Sequence, residues 1–270
     1  MTSHTTPTRI TPPAVAGGLR AHRLLERNFL VYRRLWKVVV TGFFEPVFYL
    51  FSIGIGMGAL IGDLTLADGR SISYTAFLAP ALLGASAMNG AVYESTMNIF
   101  FKLKFAKVYD GMLTTPMQPI DIAVGEIAWC LIRGLLYATG FLVVLVAMGL
   151  TSGWLWVMAL PAAVLIGFAF GACGMAATTW MKSWQDFDLV ALVTLPLFLF
   201  SGTFFPLDIY PPVLQTVARL SPLYHGVELI RGFVLGIPDW SMVGHAMFLL
   251  VMGLIGVAIT RRRLAALLLT

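Results

Sequence analysis

The chain has 270 residues, 59% of them hydrophobic and 11% charged, with a mean hydropathy of +0.85. Soluble domains carry about 25% charged residues, so this composition excludes a soluble globular protein and leaves no room for a separate soluble catalytic domain. The excess of 18 basic over 13 acidic residues sits at the flanks of apolar runs, which is a topology signal and not a nucleic-acid footprint.

In chain order, residues 1–18 (MTSHTTPTRITPPAVAGG) are rich in Thr, Pro and Gly and read as a disordered cytoplasmic tail without a cleaved signal peptide. Residues 19–37 interleave basic side chains with Leu24, Leu25, Phe29, Leu30 and Trp36. That pattern suits an amphipathic helix lying in the headgroup region, its arginines snorkelling; a cytosolic extension of the first span is the other reading. Residues 38–270 then read as one transmembrane domain, because six apolar runs fall at 38–61, 75–101, 123–149, 154–181, 188–205 and 240–260. Each is near the roughly 20 residues that a bilayer core takes. Residues 134–181 hold no charge, and a single helix of that length would reach about 72 Å. Gly149, Ser152 and Gly153 therefore place a turn in its middle.

Basic residues fix the orientation. Arg9, Arg20, Arg23, Arg27, Arg33, Arg34, Lys37, Lys102, Lys104, Lys107, Lys182, Arg261, Arg262 and Arg263 fall on one face, and only Arg70, Arg219 and Arg231 on the other. This bias predicts that both termini are cytoplasmic. Residues 206–239, between spans 5 and 6, are too long for a tight turn and too apolar for a solvated loop. Ser221-Pro222 reads as a helix start and Gly236 as its stop. The helix between is too short to span, so the segment is expected to be a re-entrant outer hairpin capping an exit, with Glu228 and Arg231 paired at i,i+3.

Catalytic chemistry finds no support. His4, His22, His225 and His245 are scattered, Cys130 and Cys173 lie inside apolar runs, and GIGMG at 54–58 lacks the Lys-Ser/Thr of a phosphate loop. No catalytic or metal site is expected. Gly54, Gly58 and Gly62 form a small-xxx-small ridge, serving a close helix contact within one subunit or between two. Ionisable residues inside spans are functional by default. Glu94 has Asn89 and Asn98 at turn-like offsets, while Glu126 and Arg133, seven apart, share a face and pair with each other or across helices. As proton carriers, Glu94 and Glu126 would suit a secondary transporter; the alternative is polar glue, helped by Arg133. Residues 101–126 (FKLKFAKVYDGMLTTPMQPIDIAVGE) predict a short helix over 102–113, broken at Pro116 and Pro119, that offers Phe105, Val108, Met112 and Leu113 to a cytoplasmic partner or to lipid headgroups.

The amphipathic start, the six spans, the loop KVYDGMLTTPMQPIDIAVGE and LSPLYHGVELIRG resemble the type-2 ABC transporter permeases, over about residues 20–262. FLAPALLGASAMNGAVYESTMNIFFKLKFAKVYDGML and FLFSGTFFPLD look most like the lipooligosaccharide branch, the partner of the nodulation-factor exporter ATPase; drug- and antibiotic-exporting permeases share the layout. The resemblance implies a multi-pass permease of the bacterial cytoplasmic membrane, without a nucleotide site of its own. ATP and Mg would be held by two copies of a separate ABC ATP-binding subunit. A second copy of the permease, or a close paralogue, would complete the assembly. The family's coupling helix falls on Lys104, Phe105, Lys107, Val108, Asp110, Met112 and Leu113, with Pro116 in the adjoining turn. Its outer gate helix matches Pro222, Glu228 and Arg231. Its dimer interface, lined by spans 1 and 5, matches the ridge Gly54, Gly58, Gly62.

Overall fold

The computed structural model describes residues 20–34, 44–65 and 69–268; the expected tail over 1–18, together with Trp36 and Lys37, lies outside them. The described residues are almost all helical. The first helix, α1 (Ala21–Arg34), buries Ala21, Leu24 and Asn28 while leaving Phe29, Leu30 and Val31 exposed, so it presents apolar side chains in two directions. That is what a helix needs when it lies between protein and lipid.

Five helices are long and apolar enough to cross a membrane: α2 (Phe44–Ile61), α3 (Tyr74–Phe105), α5 (Pro119–Ala147), α6 (Leu155–Thr178) and α10 (Ser241–Leu268). Between α3 and α5 lies the five-residue α4 (Val108–Met112). A short antiparallel hairpin, β1 (Asp63–Thr65) with β2 (Ser71–Ser73), connects α2 to α3. The fifth expected span is α7 (Asp186–Phe200), only 15 residues. It reaches about 22 Å against a hydrocarbon core of roughly 30 Å. It is followed by α8 (Pro212–Leu220) and α9 (Pro222–Val234).

The uncharged stretch is a hairpin: α5 ends at Ala147, and Gly149 and Gly153 turn the chain with φ of 68° and 66°, a region closed to most side chains. The core forms where α3, α6, α9 and α10 meet, around Leu82, Met88, Phe141, Ile166 and Val227. On α10, a Cβ at Gly256 would stand 2.8 Å from the backbone of Ala172 and Cys173, so the approach to α6 requires glycine there. By contrast α7 has no buried residue at all, and Leu189, Leu192, Val193 and Leu195 point away from the chain. Two π-helical turns, Glu94–Asn98 and Phe101–Phe105, interrupt α3 near its end.

Candidate functional site

A carboxylate deep in a helix bundle must find cations and donors close by. Glu126, 2% exposed on α5, finds four donors on three other elements. Lys102 Nζ, at the end of α3, donates to Oε1 at 2.9 Å and to Oε2 at 2.8 Å. Asn28 Nδ2 of α1 donates to Oε2 at 3.2 Å, and the Tyr109 hydroxyl of α4 donates to Oε1 at 3.0 Å. Tyr109 is fully buried, and burial, reinforced by Glu126, pushes its hydroxyl well above the usual tyrosine range, so it remains a donor. Two helix turns along α5, Arg133 donates to Glu94 Oε2 of α3, to the Tyr32 hydroxyl of α1 at 3.0 Å and to the Tyr137 hydroxyl at 2.8 Å. Asn98 Nδ2 donates to Tyr32 at 2.9 Å and to Glu94 at 2.5 Å. The Arg133 guanidinium also lies 4.7 Å over the Tyr32 ring. Burial, then Glu94, pushes the Tyr32 hydroxyl up to about 12. One polar network thus ties α1, α3, α4 and α5 together.

Several sequence expectations change on this geometry. Glu126 and Arg133 do not pair with each other; each takes a partner on α3, because Lys102 and Glu94 lie opposite them. Lys102 is buried in its ion pair and does not face a partner. The helix predicted over 102–113 is broken: α3 runs on to Phe105, and Lys107 takes a left-handed conformation (φ 47°) before α4 begins. Phe105 stays half exposed but leans on Trp184 at 5.7 Å, within an aromatic cluster that adds Phe100 and Phe187. Lys104, Lys107, Asp110 and Pro116 are exposed, and Val108, Met112 and Leu113 are half-buried. Val108 and Met112 border a groove of about 270 Å³ with Arg23 and Arg27 of α1. Arg20 donates to the Pro116 carbonyl, and its backbone N–H to Asp121, whose side chain also caps the start of α5 at Gln118.

The ridge on α2 is used inside the chain. A Cβ at Gly54 would meet Thr75 Cγ2 at 3.2 Å, one at Gly58 would meet Thr75 Oγ1 at 3.1 Å, and the Thr75 hydroxyl donates to the Gly54 carbonyl at 2.8 Å. Gly62 does not extend the stripe; the helix ends at Ile61 and Gly62 turns away at φ 76°. The side chains that α2 leaves outward are Phe48, Phe51, Ile55 and Leu60.

At the opposite end of the bundle, α9 is buried among α3, α6 and α10, with Pro222 at its first turn. Arg231, 6% exposed, pairs with Glu228, donates through Nη2 to the Gly202 carbonyl at 2.7 Å, and lies 4.0 Å over the Phe77 ring. The Ser221 hydroxyl is 2.5 Å from that of Ser201, joining the start of α9 to the end of α7. A cavity of about 840 Å³ opens beside Phe77, Asp208, Arg219, Tyr224, Glu228 and Arg231. Two residues read as scattered in the sequence meet here: His225 Nδ1 lies 2.6 Å from His245 Nδ1, with His225 stacked on Phe248 at 4.1 Å. Their separation by 20 positions on different helices hid the pair. Tyr109, Asn28 and Tyr32 were missed as well, although a mid-span glutamate needing donors was a signal to look for them.

A helical chain whose short connecting helix is wired to its membrane helices is what the family comparison returns. Residues 21–235 match the model of the ABC-2 type transporter. The chain belongs to the ABC-2 type transporter family. Its similarity to Nodulation protein J of Rhizobium leguminosarum bv. viciae is 34% identity over 255 residues, 92% of this chain and 96% of the relative. Nodulation protein J of Rhizobium meliloti is 32% identical over 78% of this chain and 80% of its own length. The inner membrane transport permease YadH of Escherichia coli is 27% identical over 78% of this chain and 81% of its own length. As an ABC-2 permease, the chain is an integral membrane protein of transport, and the 102–117 segment is the part of it to examine for coupling.

Proposed function

We propose that this chain is the permease of an ATP-driven exporter in the bacterial cytoplasmic membrane, moving an amphipathic molecule of the lipooligosaccharide or glycolipid class outward. Two copies of a separate ABC ATP-binding subunit hold ATP and Mg, and two permeases form the path. The observation that carries this reading is the convergence on Glu126: a push on α4 reaches α5 through Tyr109, α3 through Lys102 and α1 through Asn28. Asp110, Lys107, Met112 and Leu113 then offer the contact surface beside it.

In this reading α7 is the fifth of six spans, and α8 with α9 is the outer hairpin. Support comes from the apolar, wholly unburied sequence of α7, which needs lipid or a second copy around it, and from α9, whose short helix is enclosed by protein as membrane-depth irregularities require. The basic-residue bias supports cytoplasmic termini. The ion pairs at Glu94 and Glu126 support a structural role for these carboxylates.

The test is transport into inverted vesicles that carry the chain with its ATPase, with candidate glycolipids and amphipathic drugs screened as cargo. ATP-dependent uptake is expected, and Met112→Arg or Leu113→Asp should abolish it while ATP hydrolysis continues or the complex dissociates. Wild-type coupling in both variants, or uptake driven by a proton gradient without ATP, would overturn the proposal.

A further inference from the structure

Beside α9 the chain holds a cavity with the volume of a small-ligand site, about 840 Å³ against the usual 300–1,000 Å³. Its walls combine three kinds of group. Phe77 and Tyr224 give flat aromatic surface; Asp208 and Glu228 give carboxylate acceptors; Arg219 and Arg231 give guanidinium donors. Arg231 is 6% exposed, and its Nε has no hydrogen-bond partner among the described residues, so a buried donor remains unused at the wall. Such a group is costly to leave unmade. A further wall carboxylate, Asp239, is occupied by its own helix start, accepting from Trp240 N at 2.7 Å.

The charge balance decides the class of ligand. Glu228 and Arg231 neutralise each other as an ion pair, and Asp208 faces Arg219 as the remaining open pair of opposite sign. A phosphate or another anion would find as much repulsion as attraction here. A chain of hydroxyls, each donor and acceptor at once, finds a complement for both, and the C–H face of a sugar ring finds the aromatic walls. We propose that this cavity binds neutral pyranose units, a glycan subsite beside the outer hairpin. The proposal rests on the exporter reading for what delivers the sugar, and on the cavity alone for its binding.

The test uses the full chain in phosphatidylcholine nanodiscs without any ATPase, with saturation-transfer NMR of three probes: maltotetraose, cellotetraose and chitotetraose. Transfer to at least one is expected. Tyr224→Ala and Asp208→Asn should each weaken it about tenfold, whereas Tyr224→Phe, which keeps the ring, should retain most of it, with thermal midpoints recorded for every variant. Inorganic phosphate should not displace the sugar. Nanodiscs that also carry digalactosyl diacylglycerol distinguish the source: competition assigns the site to a glycolipid headgroup, and binding without competition assigns it to a free glycan. No transfer from any probe, equal transfer in Tyr224→Ala and Asp208→Asn, or displacement by phosphate overturns the site. Failure of ATP-driven uptake with sugar binding intact would instead remove the exporter reading and leave this site standing.

Discussion

The two ends of the bundle solve the same electrostatic problem differently. At the α4 end, Glu126 and Glu94 take their cations from a different helix, Lys102 and Arg133 being 24 and 39 positions away, so each pair staples separate elements. At the α9 end, Glu228 takes Arg231 from its own helix three positions on, and keeps a third of its side chain exposed beside a cavity. The first arrangement transmits displacement between elements. The second braces one helix and leaves space next to it. Similar ion pairs therefore give a joint at one end and the wall of a chamber at the other.

Breaking the joint should have the largest effect. Lys102→Ala leaves a buried carboxylate without its cation, which costs about 3–5 kcal/mol. Lys102→Met combined with Glu126→Gln should recover most of that loss, read as the thermal midpoint of the purified chain and its surface expression. Equal losses in the single and double variants would mean that Glu126 does not depend on Lys102. At the other end Arg231→Ala should cost about 1–2 kcal/mol, less because Glu228 reaches solvent. Arg231→Gln with Glu228→Gln should again be milder than the single change, and a double-mutant cycle on stability measures the difference. If that coupling equals the one at Lys102 and Glu126, the contrast between joint and wall disappears.

The smallest effect belongs to Tyr32, whose hydroxyl bridges Arg133, Asn98 and Glu94. Tyr32→Phe should cost about 1 kcal/mol, with the cation–ring contact retained. Because burial and Glu94 raise the folded value to about 12, above the ordinary value of about 10, the hydroxyl contribution is fully present below pH ~10. It is lost as pH rises through the folded value. The stability gap between wild type and Tyr32→Phe should therefore be flat from about pH 7 to 9 and shrink above about pH 10. A gap that closes nearer neutrality would remove Tyr32 from the network.

What was legible in the sequence follows from the length scale of each signal. Apolar runs and the Gly149–Gly153 turn are local, and the helices stand where the runs predict them, to within a few residues at most ends. The i,i+3 pair of Glu228 and Arg231 is local too. Partner choice for Glu126 and Arg133 was not legible, because a shared helix face permits a pair without excluding a better cation on a neighbour. Lys102 read as solvent-facing since lysines near a loop usually are. The Gly54/Gly58 ridge announced a close contact but not its partner, and only the fold supplies Thr75. The 15-residue length of α7 was hidden because the apolar composition continues through Phe205, past the point where the helix stops at Phe200.

The π-helical turns of α3 carry a consequence for how this chain tolerates insertion and deletion. A π turn accommodates extra chain within a helix, and removing one residue from Glu94–Asn98 so that the segment relaxes to ordinary pitch would rotate everything beyond it by about 100°. Lys102 lies beyond it. Such a deletion keeps every charge of the pair and changes only the azimuth at which the ammonium leaves the helix, turning it from α5 toward lipid. The reading frame of this helix, counted in single residues, is as much a determinant of the Lys102–Glu126 pair as the identities of the two side chains.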